Sequence, residues 1–198
     1  FLRRRDYRNL QVFTLRRYRP ENLWGLHELR PHILYNTYRK FDGYHTTSFL
    51  HVDNHWEWKN GYEIHTGMNF FHEGVQVPFN IVSGVTVDPG EYDDDEVALV
   101  LITDQSAPLS LSVNIKDGGL FGGDRFSAVP SIKYRVGDKF TSELAWNHNN
   151  VDLGSGKEFT VDVAQLRMTY SFTPKMALQA LVQYDKRQDL VATNLRFS

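Results

Sequence analysis

The chain has 198 residues, a formal net charge of −2 and no cysteine, so disulfides, thiolate chemistry and an electrostatic attraction to nucleic acid are excluded. Aromatic residues make up 14 %, and no apolar run approaches the roughly 20 residues of a membrane helix. What remains open is a chain built from strands, whose only signature is alternation.

Residues 5–19 read as a first strand rich in arginine, and 20–25 (PENLWG) as a turn. Residues 26–40 read as a second strand, weakened by Pro31, which lacks a ladder donor. After a loop at 41–46, residues 47–58 place Leu50, Val52, Trp56 and Trp58 on one face and His51, Asp53, His55 and Glu57 on the other. Residues 62–72 answer with Tyr62, Ile64, Met68 and Phe70 against Glu63, His65 and Asn69. A three-residue loop at Lys59–Gly61 keeps both apolar rows together, with His55 opposite His65 and Glu57 opposite Glu63. A two-residue Asn-Gly turn would mix the faces.

Residues 73–95 read as a long connection with a short strand around 78–86, and its acidic run Glu91–Glu96 as a solvated loop. Strands follow at 96–103, 109–115 and 125–136, the last two separated by a glycine-rich loop, 117–124. After a turn at 137–139 come Phe140, Leu144 and Trp146, then a loop at 149–158. The clearest hairpin spans 159–187. Leu166, Met168, Tyr170 and Phe172 alternate with Gln165 and Arg167, and Leu178, Ala180, Val182 and Tyr184 alternate with Gln179 and Gln183. A loop at Thr173–Lys175 would set Phe172 opposite Met176 and Tyr170 opposite Leu178. Residues 190–197 form the last strand.

The whole chain, 1–198, then forms part of one all-β domain: an antiparallel up-and-down transmembrane β-barrel. Its arms have the length of tilted membrane strands, and short turns alternate with longer Gly- and Asp-rich loops. The expected lipid-facing residues are Leu166, Met168, Tyr170, Phe172, Leu178, Ala180, Val182 and Tyr184. Those facing the lumen are His51, Asp53, His55, Glu57, Glu63, His65, Gln165, Arg167, Gln179 and Gln183. About eleven strands are legible, whereas bacterial single-chain barrels are even-numbered, so an incomplete portion of a larger barrel is expected. FLRRRDY (1–7) lacks the apolar core of a signal peptide, and both ends read as cut.

The runs SGVTVDPGEY (83–92), GGLFGGDR (118–125) and NNVDL (149–153), and above all YSFTPKMALQALVQYDKRQDLVATNLRFS (170–198), carry a family resemblance. They resemble the C-terminal barrel, a domain of unknown function, of large outer-membrane proteins whose front half is a family-nine-type carbohydrate-binding module. The likeness covers most of residues 45–198. It implies the outer membrane of Gram-negative bacteria, the lipid bilayer and other outer-membrane proteins as partners, and a glycan ligand through the absent module. It implies no catalytic residue.

Among chemical groupings, His55, His65, Asp53, Glu57 and Glu63 form one patch that could bind a divalent metal; a hydrogen-bonded polar wall is the favoured reading. The acidic run lacks the spaced ligands of a calcium loop. The glycine-rich 118–125 run is not followed by Lys-Ser or Lys-Thr and is no phosphate cradle. No serine or threonine has an evident His/Asp partnership. The expectation is therefore a barrel for passage or anchoring, with no enzyme activity and no cofactor. The alternatives are a structural subunit of a larger outer-membrane assembly and a surface carbohydrate-active enzyme using a pair such as Glu57 and Glu63.

Overall fold

The structure, a computed structural model, describes residues 6–198. Arg5, the first residue of the expected first strand, lies outside them. Eleven strands form one antiparallel sheet: β1 (Tyr7–Leu15), β2 (Leu26–Lys40), β3 (His45–Trp58), β4 (Glu63–Val75), β7 (Gly90–Ile102), β8 (Leu109–Leu120), β9 (Gly123–Val136), β10 (Phe140–Asp152), β11 (Glu158–Thr173), β12 (Met176–Asp185) and β13 (Leu190–Phe197). A separate hairpin, β5 (Phe79–Val82) and β6 (Val85–Val87), sits in the connection between β4 and β7. Every strand of the large sheet pairs with its neighbour in sequence, so the topology is up-and-down. The sheet is not closed: β1 and β13 each pair on one side. Among the described residues no helix is long and apolar enough to cross a membrane, which says nothing of strands.

Three differences from the sequence reading share one cause: charge and glycine were read as loop signals where they lie in strands. The acidic run Glu91–Glu96 lies inside β7, with Asp95 opposite Phe70 and Glu96 opposite Asn69. The 117–124 run is not a loop either. β8 continues to Leu120, β9 starts at Gly123, and only Phe121 and Gly122 turn the chain, both at positive φ as a two-residue hairpin turn requires. The glycines serve close approach instead: a Cβ on Gly118 would lie 2.2 Å from the Asp95 carbonyl oxygen. Likewise β10 runs to Asp152 and β11 starts at Glu158, which shortens the 149–158 loop to 153–157. The loop at 41–46 shrinks to 41–44 because His45 and Thr46 already belong to β3.

Consequently the expected contrast in loop length is weak. One end carries 41–44, 76–89, 121–122, 153–157 and 186–189, and the other 16–25, 59–62, 103–108, 137–139 and 174–175. Only 76–89 stands out beside its neighbours, and it folds over the strand ends. Phe121 meets Phe79 and Tyr92 edge-on, both at 5.6 Å, while Lys157 Nζ reaches Asp88 Oδ2 at 2.9 Å and Arg187 donates to the Ser83 carbonyl at 3.0 Å.

Both prolines inside strands are accommodated at gaps in a ladder. A residue's N–H and C=O point to the same neighbouring strand. Pro31 O accepts from Arg16 N at 3.0 Å, so its missing donor faces the side where β1 has just ended. At Pro130 the β9–β10 ladder lapses, with no partners paired between Ser131–Ala145 and Ala128–His148.

Candidate functional site: a polar wall

The registers decide which side chains share a face. At Lys59–Gly61 the three-residue loop forms: Trp58 N bonds Tyr62 O at 2.9 Å, Gly61 takes φ +81°, His55 pairs with His65 and Glu57 with Glu63. In the last large hairpin Leu166 pairs with Val182, Met168 with Ala180 and Tyr170 with Leu178, while Gln165 pairs with Gln183 and Thr169 with Gln179. The expected pairing of Phe172 with Met176 does not occur. Thr173 takes Met176, the register shifts between Ser171 and Thr173, and Pro174-Lys175 alone forms the turn. A turn with Pro at its second position twists poorly into a hairpin, and the irregularity absorbs the mismatch. Phe172 still packs with the apolar row, 4.9 Å from Tyr170 and 6.3 Å from Phe197.

Carried strand to strand, the registers give two faces of opposite character. One holds Val52, Met68, Val97, Leu111, Ile132, Leu144, Leu178 and Leu195, all well exposed. This apolar row stops along one line, where His72, Asp93, Asp95, Asp117, His148 and Asp162 take over the same face. Trp56, Tyr62, Tyr134, Phe140 and Tyr170 collect towards its other border, with Phe70, Phe126, Trp146 and Tyr184 near the polar line. On β9 the band runs from Phe126 to Val136, about 34 Å along the strand at about 3.4 Å per residue.

The opposite face is polar and more enclosed. The buried apolar residues among those described are Leu26, Val87 and Val151, whereas Glu28, Asn69, Glu96, Ser110 and Ser127 are all buried. Glu96, only 1 % exposed, is paired with Arg125, lies 3.7 Å from Lys116 Nζ and accepts from Asn69 Nδ2 at 2.8 Å. Glu28 draws in Arg19 at 2.7 Å and Arg17 and Arg30 at 3.7 Å. Arg30 then reaches Glu57 at 3.5 Å and Glu63 at 3.3 Å. Arg167, Thr169, Gln179, Asn194 and Arg196 line a depression further along. The face is not uniformly polar, since Phe49 and Phe71 stack there at 5.2 Å.

Between the two carboxylate centres sit four imidazoles. His55 and His65 stack with ring centroids 3.6 Å apart and planes at 4°. His65 Nε2 lies 3.1 Å from Glu63, and Asp53 Oδ2 lies 3.2 Å from His55 Nε2 and 3.6 Å from His51 Nε2. His32, paired in register with Asp53, stands edge-on to His55 at 5.0 Å. The five residues expected to form one patch are thus together but divided. Glu57 and Glu63 share Arg30, His65 belongs to Glu63, and Asp53 with His55 faces His51 and His32. Sequence reasoning missed His32, Glu28, Arg30, Asn69 as a bridge, and Glu96. The alternation of Arg30 and His32 was visible, but their place beside β3 depends on irregularities at Leu26/Glu28 and Tyr38/Arg39. Glu96 was hidden because it was read as part of an acidic loop. The remaining run offers no shared calcium cage: Asp93 bonds His72 on one face, and Asp94 accepts from Gly122 N beside the next hairpin.

No protein-family model matches the chain, and no curated protein and no solved structure is significantly similar to it.

Proposed function

We propose that this chain is the wall of a bacterial outer-membrane β-barrel with a passage or anchoring role. One observation carries the reading: large apolar side chains are exposed in a band while carboxylates are buried on the opposite face, the reverse of a water-soluble sheet. Lipid against the band would remove that apolar surface from water, and the enclosed polar face would line the lumen. The strands that project past His72, Asp93 and Asp162 would stand above the bilayer, with β5–β6 among them. Further strands pairing with the free edges of β1 and β13 would close the wall. A link to glycan binding rests only on the family resemblance of most of residues 45–198.

The test is depth-dependent. Ala180→Arg, on the apolar face, is expected to cost about 2–4 kcal/mol when the full chain refolds from urea into lipid vesicles, and Gln179→Arg much less. Equal costs would overturn the facing. Single-channel conductance of the full chain in planar bilayers then separates passage from anchoring.

A further inference from the structure

We infer that the polar face holds a divalent transition-metal site, of the zinc type, formed by His32, Asp53 and His55, with His51 as the fourth donor. One ligand atom from each of the first three lies within 4.8 Å of the others. All four residues come from two adjacent strands: His51, Asp53 and His55 alternate along one face of β3, and His32 is the direct partner of Asp53 on β2.

Hydrogen bonding fixes where two of the imidazoles present their lone pairs. His32 Nδ1 lies 3.1 Å from the Arg30 carbonyl oxygen, which can only accept, so Nδ1 carries the hydrogen. His51 Nδ1 lies 2.6 Å from Asn69 Oδ1. That oxygen is an acceptor because the same amide spends its N–H on Glu96 at 2.8 Å. In the neutral rings both Nε2 atoms are therefore bare. The His51 Nε2 lone pair faces Asp53 Oδ2 at 3.6 Å, a repulsion that either a proton or a metal ion between the two atoms relieves. Holding Nδ1 to a carbonyl or amide oxygen is also how proteins orient metal-bound histidines.

Asp53 supplies an independent observation. Its side chain is 9 % exposed, and Oδ1 is buried with no hydrogen-bond partner. A buried carboxylate needs a positive partner. Arg30, one strand away, is turned to Glu28, Glu57 and Glu63. Imidazole nitrogens with one carboxylate suit zinc or its neighbours rather than calcium or magnesium. Tetrahedral zinc bonds place adjacent donors about 3.4 Å apart. The 3.2 and 3.6 Å separations from Asp53 Oδ2 to His55 and His51 already bracket that spacing. His51 lies outside the group whose ligand atoms are within 4.8 Å of one another, so the fourth bond requires its side chain to rotate about the contact with Asp53. The site does not depend on what lies against the apolar face.

The test uses the full chain in detergent, stripped with EDTA and titrated with Zn²⁺ and Co²⁺. One equivalent of Zn²⁺ should bind, and Co²⁺ should give the intense visible bands of a four-coordinate centre. His32→Gln and Asp53→Asn should each weaken Zn²⁺ binding at least tenfold, whereas His65→Gln should leave it within about twofold. Absence of saturable binding by the unmodified chain would overturn the site. So would a loss with His65→Gln as large as with His32→Gln, since that would place the ion between His55, His65 and Glu63. The cobalt spectrum of the unmodified chain decides the coordination even if a variant fails to fold.

Discussion

Glu96 shows what a single buried charge does in this wall. Arg125, Lys116 and Asn69 converge on it from three strands, so its removal leaves the half-buried Arg125 without its carboxylate, while the more exposed Lys116 can turn to water. Glu96→Ala is expected to destabilise the fold by about 3–5 kcal/mol, the usual cost of breaking a buried pair from one side, read from urea unfolding in vesicles. A loss below about 1 kcal/mol would mean that water reaches Arg125 freely. Asp104, in the 103–108 turn outside the strands, tests a different group. The Ser106 hydroxyl and backbone N–H donate to its Oδ1 at 2.7 and 2.8 Å and hold its carboxyl below the ordinary 3.8. A depressed folded value contributes stability that is present above the unfolded pKa and lost as pH falls through the folded one. Ser106→Ala should move the Asp104 titration, followed by carboxyl carbon NMR, up towards 3.8. An unmoved titration would assign the shift to the surrounding charges.

At the scale of elements, the β8–β9 hairpin depends on glycine for approach rather than flexibility. A Cβ at Gly118 meets the Asp95 carbonyl at 2.2 Å and Glu96 Cα at 2.4 Å, both backbone atoms that cannot swing away. Gly118→Ala should therefore split the β7–β8 ladder beside Glu96 and cost more than the roughly 1 kcal/mol of an ordinary strand glycine exchange. Gly154→Ala, at φ +73° with open space around it, is the comparison: only backbone strain opposes it. Amide exchange at Glu96 and Val97 should accelerate in the first variant and not in the second. Unchanged exchange in both would show that β7 and β8 can separate by the width of a methyl group.

For the molecule as a whole, the inverted polarity makes a topological prediction. Residues 41–44, 76–89, 121–122, 153–157 and 186–189 share one end of the sheet, and if the sheet spans a bilayer as proposed they should be reached from one side of it. Single cysteines at Ser83, Gly154 and Gln188 should label with an impermeant maleimide on intact cells, and one at Asp138 should not. Labelling of 138 with protection of 154 would reverse the orientation.

Alternation alone determined most of the architecture: eleven legible strands, the Lys59–Gly61 loop, the facing of Leu166, Met168, Ala180 and Val182, and the pairing of His55 with His65. It could do so because the side-chain period is two, and a one-residue slip would have mixed the faces. Tertiary structure decided where strands end and which polar groups meet. Glycine at 118 and 119 and acid at 91–96 carry the same local signal whether the backbone turns or merely passes close to a neighbour, and only the neighbour distinguishes them. The company of His32 with Asp53 and of Glu96 with Arg125 required cross-strand registers set by irregularities and a two-residue turn that no local pattern specifies.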